Sequence, residues 1–220
     1  MKTTHQSLGD LVTANPAAAR VFHRHGLDYC CGGSQSLAQA CAAEGLDAQV
    51  ILRELEATAS SEAVVARWDQ RPINELIQHI LDRYHAPLRA ELPRIVALAR
   101  QVARVHADKP DRPAELADLL SDVQAAVESH LAKEEQILFP LILSGRGHSA
   151  HMPVQVMLQE HEDHGKNLRR IRELTNDLQL PPDACASWRE LYRSLAELEV
   201  ELMDHIHLEN NILFPRALVG

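Results

Sequence analysis

The sequence predicts an all-α protein: an up-down-up-down bundle of four long helices preceded by a small helical domain. Three observations predict it. Only 9 of 220 residues are Gly, and Ala, Leu, Glu and Arg dominate, residues at or near the top of the helix scale. From Arg71-Pro72 onward, long helix-compatible stretches alternate with three clusters rich in Pro, Gly and Asp. The third observation is a repeat. His130-Leu-Ala-Lys-Glu134-Glu-Gln-Ile137-Leu-Phe139-Pro140 returns 75 positions later as His205-Ile-His-Leu-Glu209-Asn-Asn-Ile212-Leu-Phe214-Pro215. What persists is His-x-x-x-Glu-x-x-Ile-Leu-Phe-Pro, and what varies reads as polar filler.

Residues 1–58 break into short helices. Asn15-Pro16 opens one that Gly26 stops, because Pro suits a first helical position and Gly a C-terminal one. The turn Leu27-Asp-Tyr-Cys30-Cys31-Gly32-Gly33-Ser34 follows. Ser36 caps a helix to Glu44, and Asp47 caps another to about Ala59. Residues 59–71 read as a linker and 72–220 as the bundle. Its helices are expected over about 72–107, 113–143, 153–178 and 184–215, with kinks at Pro87, Pro93 and Pro140. Short connections between them make neighbours antiparallel.

Bulk properties narrow the function. A net charge of −9 argues against non-specific nucleic-acid binding, which needs basic surface. No apolar stretch approaches the ~18 residues of a membrane span. The first ten residues lack the apolar stretch of a signal peptide. Four cysteines without a spaced framework fit a reducing compartment, so a cytoplasmic protein is expected.

The repeat carries the chemistry. His85 and His161 lie 76 apart, so each half supplies one His and then a His-x-x-x-Glu. The midpoints between His85 and His130, Glu134 and His161, and His161 and His205 all fall at or beside the breaker clusters. In an antiparallel bundle, residues equidistant from a turn sit at one height. His and Glu at i and i+4 share a helix face, about 6 Å apart along the axis. Six side chains are therefore expected to converge: His85, His130, Glu134, His161, His205 and Glu209. One metal rarely needs six such groups, whereas two metals bridged by two carboxylates do. Imidazole with carboxylate suits iron, and sometimes zinc or manganese. Ferritin-like carboxylate sites carry more Glu and only two His. Two carboxylates form a shell of low negative charge that favours reduced metal. The reading is a diiron centre with an open position for a small gas or an oxo bridge. A single His-x-x-x-Glu is ordinarily a solvated ion pair; the matched repetition lifts this one above that reading.

Other residues are weighed beside these. Glu160, next to His161, is a candidate for a supporting carboxylate or a proton route. Adjacent Cys30 and Cys31 are open to electron transfer, nitric oxide binding, contact with a client protein, or plain packing of inert thiols. His23 and His25 are close enough for a further metal site. Cys41 and Cys185 read as helix packing. His164 lies one turn beyond His161, but its counterpart in the first half is Leu88, so the repeat argues against it. His207 should face away from His205. His106 is about 31 Å from His85 along a straight helix, too far to join the same centre. His79, His148 and His151 read as solvent-facing or capping, and Phe139 and Phe214 as core beside the site.

With these motifs in hand, residues 72–220 resemble a hemerythrin-like diiron domain. Residues 1–58, with Asn15-Pro-Ala-Ala-Ala-Arg-Val-Phe and Leu27-Asp-Tyr-Cys-Cys-Gly-Gly33, resemble the small N-terminal domain of the ScdA/YtfE family of iron–sulfur cluster repair proteins. The resemblance implies two non-haem iron ions, oxo- and carboxylate-bridged, on the six positions named above. It implies restoration of damaged iron–sulfur proteins under nitrosative and oxidative stress, by iron donation or by reduction of nitric oxide to nitrous oxide. The alternative is reversible binding or sensing of oxygen or nitric oxide, as in simple hemerythrins. Whether the chain is an enzyme stays open. The electron donor is unknown, no membrane or nucleic-acid partner is expected, and a homodimer through the apolar patch at Val64-Val65 is conceivable.

Overall fold

The computed structural model describes residues 3–59 and 66–219, with no β-strand among them. Val64-Val65, where a dimer contact was conceivable, lies outside the described residues. The chain forms two compact units. The first comprises the described residues up to 78, Ile142–His151 and the chain from Met203 onward; the second comprises His79–Leu141 and Met152–Leu202.

In the first unit, α1 (Leu8–Ala14), α2 (Ala18–Arg24), α3 (Leu37–Ala43) and α4 (Ala48–Ala59) enclose a core that includes Phe22, Tyr29, Leu37, Ile51 and Leu55. Ser7 caps α1 by accepting the Asp10 N–H, and Ser36 and Gln39 form the reciprocal capping box at α3. Each such cap contributes about 1 kcal/mol by satisfying donors the helix leaves open. The described part of the expected linker is folded. Arg67 forks onto Asp69, and the Arg216 guanidinium donates to the carbonyls of Trp68 and Arg71 at 2.9 and 2.7 Å.

From α5 (Ile73–Ile80) the chain enters long helices: α6 (Ala86–Val105), α7 (Leu116–Lys133), the short α8 (Phe139–Leu141), α9 (His151–Leu174), α10 (Ala186–Leu208) and α11 (Phe214–Val219). In the second unit, α6, α7, α9 and most of α10 run antiparallel in turn. Arg89 meets Glu128 while the later Arg100 meets the earlier Ser121. Lys133 meets Glu160 while Arg170 meets Glu115, and Arg83 meets Glu201 while Arg94 meets Glu190. These largely exposed pairs contribute little stability and serve here as markers of register. The stabilising term is the apolar interior, including Leu92, Leu120, Val127, Leu195 and Trp188. Helix α9 stops about four residues before the expected end, because Asn176, Asp177 and Leu178 all take positive φ (48°, 55° and 59°). Asn and Asp tolerate that conformation better than Leu.

The expected proline kinks take a specific form. Three π-helical turns, at Leu81–His85, Glu134–Leu138 and Glu209–Leu213, each end two residues before a proline: Pro87, Pro140 and Pro215. In each, an N–H reaches back five residues, from Ala86 to Leu81, Phe139 to Glu134 and Phe214 to Glu209. Proline cannot donate the regular four-residue bond, and the widened turn ahead of it makes room for its ring. Pro93, by contrast, lies within the continuous helix α6.

Candidate metal centre

Each of these three π-turns contains one of the six expected ligands. His85 closes the first turn; Glu134 and Glu209 open the other two, each four residues after its histidine. His161 alone sits on an unbroken helix, α9.

In the second unit, His85, His130, Glu134 and His161 are all buried, Glu134 and His161 completely. Glu134 is the hub. Its Oε2 lies 3.4 Å from His85 Nε2 and 3.5 Å from His130 Nε2, and His161 Nε2 lies 3.1 Å from His130 Nε2. The far nitrogens are held by carboxylates. His85 Nδ1 is 2.8 Å from Glu135 Oε1, and His130 Nδ1 is 2.9 Å from Glu160 Oε2. An ionised carboxylate only accepts, so each Nδ1 carries the proton and donates it. In a neutral imidazole the Nε2 lone pair then points toward the Glu134 carboxylate, an arrangement that calls for a cation between them. The three separations match the roughly 3.0–3.5 Å between neighbouring donors on an ion bound at about 2.1 Å, and exceed or only reach hydrogen-bond length. Carboxylate–histidine–metal relays of this kind fix the tautomer and raise ligand basicity. The donor set of three imidazoles around one buried carboxylate therefore fits iron.

The supporting carboxylates are anchored in turn. Arg89 donates to both Glu135 and Glu128, and Lys133 binds Glu160. Burial pushes the Glu135 carboxyl up, but Arg89 and His85 outweigh it and hold it below the usual range. Phe139 stacks on the His85 ring at 5.6 Å. In the first unit, His205 Nε2 lies 2.9 Å from Glu209 Oε1, both buried.

The remaining sequence candidates separate clearly. His164, set aside on the repeat, is buried with its ring edge-on to His130 at 5.1 Å. His106 packs on Trp188 at 4.8 Å and its Nδ1 donates to the Val102 carbonyl. His25 pairs with Glu54. His148 and His151 are exposed, and half-buried His79 meets the edge of Tyr84. Cys41 is buried among the first unit's apolar residues, and Cys185 is half-buried.

Sequence reasoning missed Glu135, although it neighbours a ligand just as Glu160 does. It also missed the work done by the filler of the second copy. Asn211 shares its side-chain N–H donors among the carbonyls of Tyr29 and Cys30 and the Nδ1 of His207, at 3.3, 3.3 and 3.1 Å. Asn210 donates to the Cys30 carbonyl, and the Tyr29 hydroxyl donates to Asp204 at 2.6 Å. Burial lowers His207 to about 4, opposed by a hydrogen bond with the Tyr29 backbone, so the ring is neutral and accepts from Asn211. The approach is close enough to require glycine. A Cβ at Gly9 or Gly33 would lie 2.5 or 2.6 Å from the Asn211 side chain.

The Cys-Cys turn held this way is itself compact. Asp28 Oδ1 accepts from the N–H groups of Cys30 and Cys31, at 3.1 and 2.9 Å, and from the Cys30 thiol at 3.1 Å. The Cys31 contact, burial and the Asp28 charge together push the Cys30 thiol well above its usual range. None of the four cysteines is in a disulfide.

Comparison with known proteins agrees with this architecture. The family model described as the hemerythrin HHE cation-binding domain matches residues 76–217, and a domain of unknown function (DUF542) matches residues 4–59. The iron-sulfur cluster repair protein YtfE of Escherichia coli O157:H7 is 46% identical over 215 residues, covering 98% of this chain and 97% of the relative. Its namesake in Shigella boydii serotype 4 is 45% identical over the same span. No helix of the described residues is long and apolar enough to cross a membrane. The chain belongs to the hemerythrin HHE cation-binding family, and along nearly its whole length it is similar to relatives named iron-sulfur cluster repair protein YtfE.

Proposed function

We propose that this protein repairs iron–sulfur clusters damaged by nitrosative and oxidative stress, using two iron ions held by His85, His130, Glu134, His161, His205 and Glu209. The observation that carries the reading is the relay at Glu134, where two imidazoles with protons fixed on Nδ1 turn their Nε2 lone pairs toward one buried carboxylate. The duplicated His-x-x-x-Glu supports the same six residues, with His205 and Glu209 completing the set. The functional division follows the sequence: a small domain at 1–58, a linker at 59–71 and the iron-binding domain at 72–220. The names of the relatives support the repair role.

Bound ferrous iron would supply electrons and open positions for reduction of nitric oxide to nitrous oxide, and the same iron is the cargo when it is donated to a damaged cluster. The chain's part is to keep Nε2 of each histidine available, through Glu135 and Glu160, and to exclude water with Phe139 and the surrounding apolar residues. The Lys133–Glu160–His130 chain leads from a partly exposed ammonium to a ligand and would give protons a route, while Arg89, a permanent cation, fixes Glu135 on His85. Cys30 and Cys31 would serve redox exchange or client contact, and a reducing cytoplasm would keep them as thiols.

The test is anaerobic. Iron per chain is measured, the reduced protein is mixed with nitric oxide, nitrous oxide is assayed, and a cluster enzyme inactivated by nitric oxide is added in parallel. Two irons with reactivation of that enzyme is the expected result. Two irons with reversible gas binding and no reactivation favours the carrier reading, and a His130→Ala protein retaining both irons refutes the ligand set.

A further inference from the structure

Outside the histidine and glutamate residues, one other group of metal-ligating atoms stands out among the described residues. Asp28 Oδ, Cys30 Sγ and Cys31 Sγ lie within 4.8 Å of one another. We propose that this turn is a binding site for a single thiophilic divalent cation, of the ferrous or zinc class, held by two thiolates and one carboxylate.

Four features carry the proposal. The two Sγ atoms are 3.9 Å apart and the Asp28 oxygen is 3.1 Å from Cys30 Sγ, so little movement brings all three onto one ion. Thiolate with carboxylate selects borderline and soft cations over magnesium or calcium. The chain's own hydrogen bonds shape the turn: Asp28 gathers the N–H groups of both cysteines, and Asn210 and Asn211 hold the carbonyls of Tyr29 and Cys30 from the other side. Finally, Cys30 is buried while Cys31 is half-buried. Three donors leave a four-coordinate ion one position, which an incoming sulfide or client thiolate can take.

The protonation balance is explicit. Without a cation, the neighbouring thiol, burial and the Asp28 charge all keep Cys30 protonated. A bound divalent ion reverses that local preference and deprotonates its thiols outright. Each ion bound therefore releases two protons, one from each cysteine, and no electron moves. Use of the site as an exit for donated iron rests on the function proposed above; the site itself does not.

Cobalt(II) is the probe, added anaerobically to the reduced full-length protein as isolated. Thiolate-to-cobalt charge-transfer absorption saturating at one equivalent, with two protons released per cobalt, is the expected result. The histidine and glutamate ligands contain no sulfur and cannot produce that band. It should vanish in the double variant Cys30→Ser/Cys31→Ser and persist in Cys41→Ser. Asp28→Asn should weaken cobalt binding by roughly tenfold or more. Circular dichroism checks that each variant folds, and the wild-type titration stands without them. Absence of the band in the wild type, or its survival in the double cysteine variant, overturns the site. Iron analysis of the same sample judges the diiron reading separately: two irons without a cobalt–thiolate band overturns this site alone.

Discussion

The two copies of the eleven-residue string place the same residue types in the same local shape and put their variable positions to different uses. Both carry a histidine, a buried carboxylate four residues on, a π-turn and a Phe-Pro end. In the first copy, Glu135 reaches back to orient His85, while Gln136 is exposed and Ile137 is 57% exposed. In the second, the equivalent positions are Asn210, Asn211 and Ile212. The two asparagines bind the backbone of the Cys-Cys turn, and Ile212 is 4% exposed. His207, where the first copy has Ala132, completes the contact. The conserved part of the repeat suits one task, holding metal. The part that reads as filler is where the copies diverge, one toward tuning a ligand and the other toward docking a domain.

Paired substitutions test that contrast. Ile212→Ala should cost about 2–5 kcal/mol, the range for a buried Ile truncated to Ala. Ile137→Ala should stay within about 0.5 kcal/mol, as exposed positions do. Urea unfolding of both variants decides it, and equal losses would dissolve the difference. Gly33→Ala comes next, at about 1–3 kcal/mol, because its new Cβ would press on Asn211 and on the Tyr29 carbonyl, 2.7 Å away. Limited proteolysis should then cut residues 3–59 first. If Gly33→Ala unfolds with the wild-type midpoint, the close approach is not what that glycine serves. Gln136→Asn, which gives the first copy the residue of the second, should have the smallest effect, within about 0.5 kcal/mol of wild type. A larger shift by the same unfolding assay would mean that the first copy has a contact of its own at this position.

The long helices and the small capped ones were legible in the sequence because breakers and caps are local signals. Ser36 with Gln39 is such a signal, and so is Gly26. The candidate ligands were legible because a duplication repeats chemistry at matched offsets. Three things were not. The end of α9 at Leu174 depends on left-handed turns at Asn176–Leu178 that no single residue there announces. The π-turns leave no mark in a periodicity of 3.6, so the prolines suggested kinks instead. The docking by Asn210 and Asn211 is non-local, joining residues some 180 positions apart, and a polar residue near the chain end carries no hint of its partner.

One consequence follows from the three π-turns. Each accommodates an extra residue in its helix, and a residue advances the helix by about 100°. The stretch downstream of each proline is thus rotated out of phase with the stretch upstream of its π-turn. A one-residue deletion at 135–137 would restore ordinary winding and swing Phe139 away from His85. The reading frame of the helix surface, not only the identity of its side chains, is therefore under constraint at each of these turns. Homologous substitutions there should be tolerated far more readily than insertions or deletions.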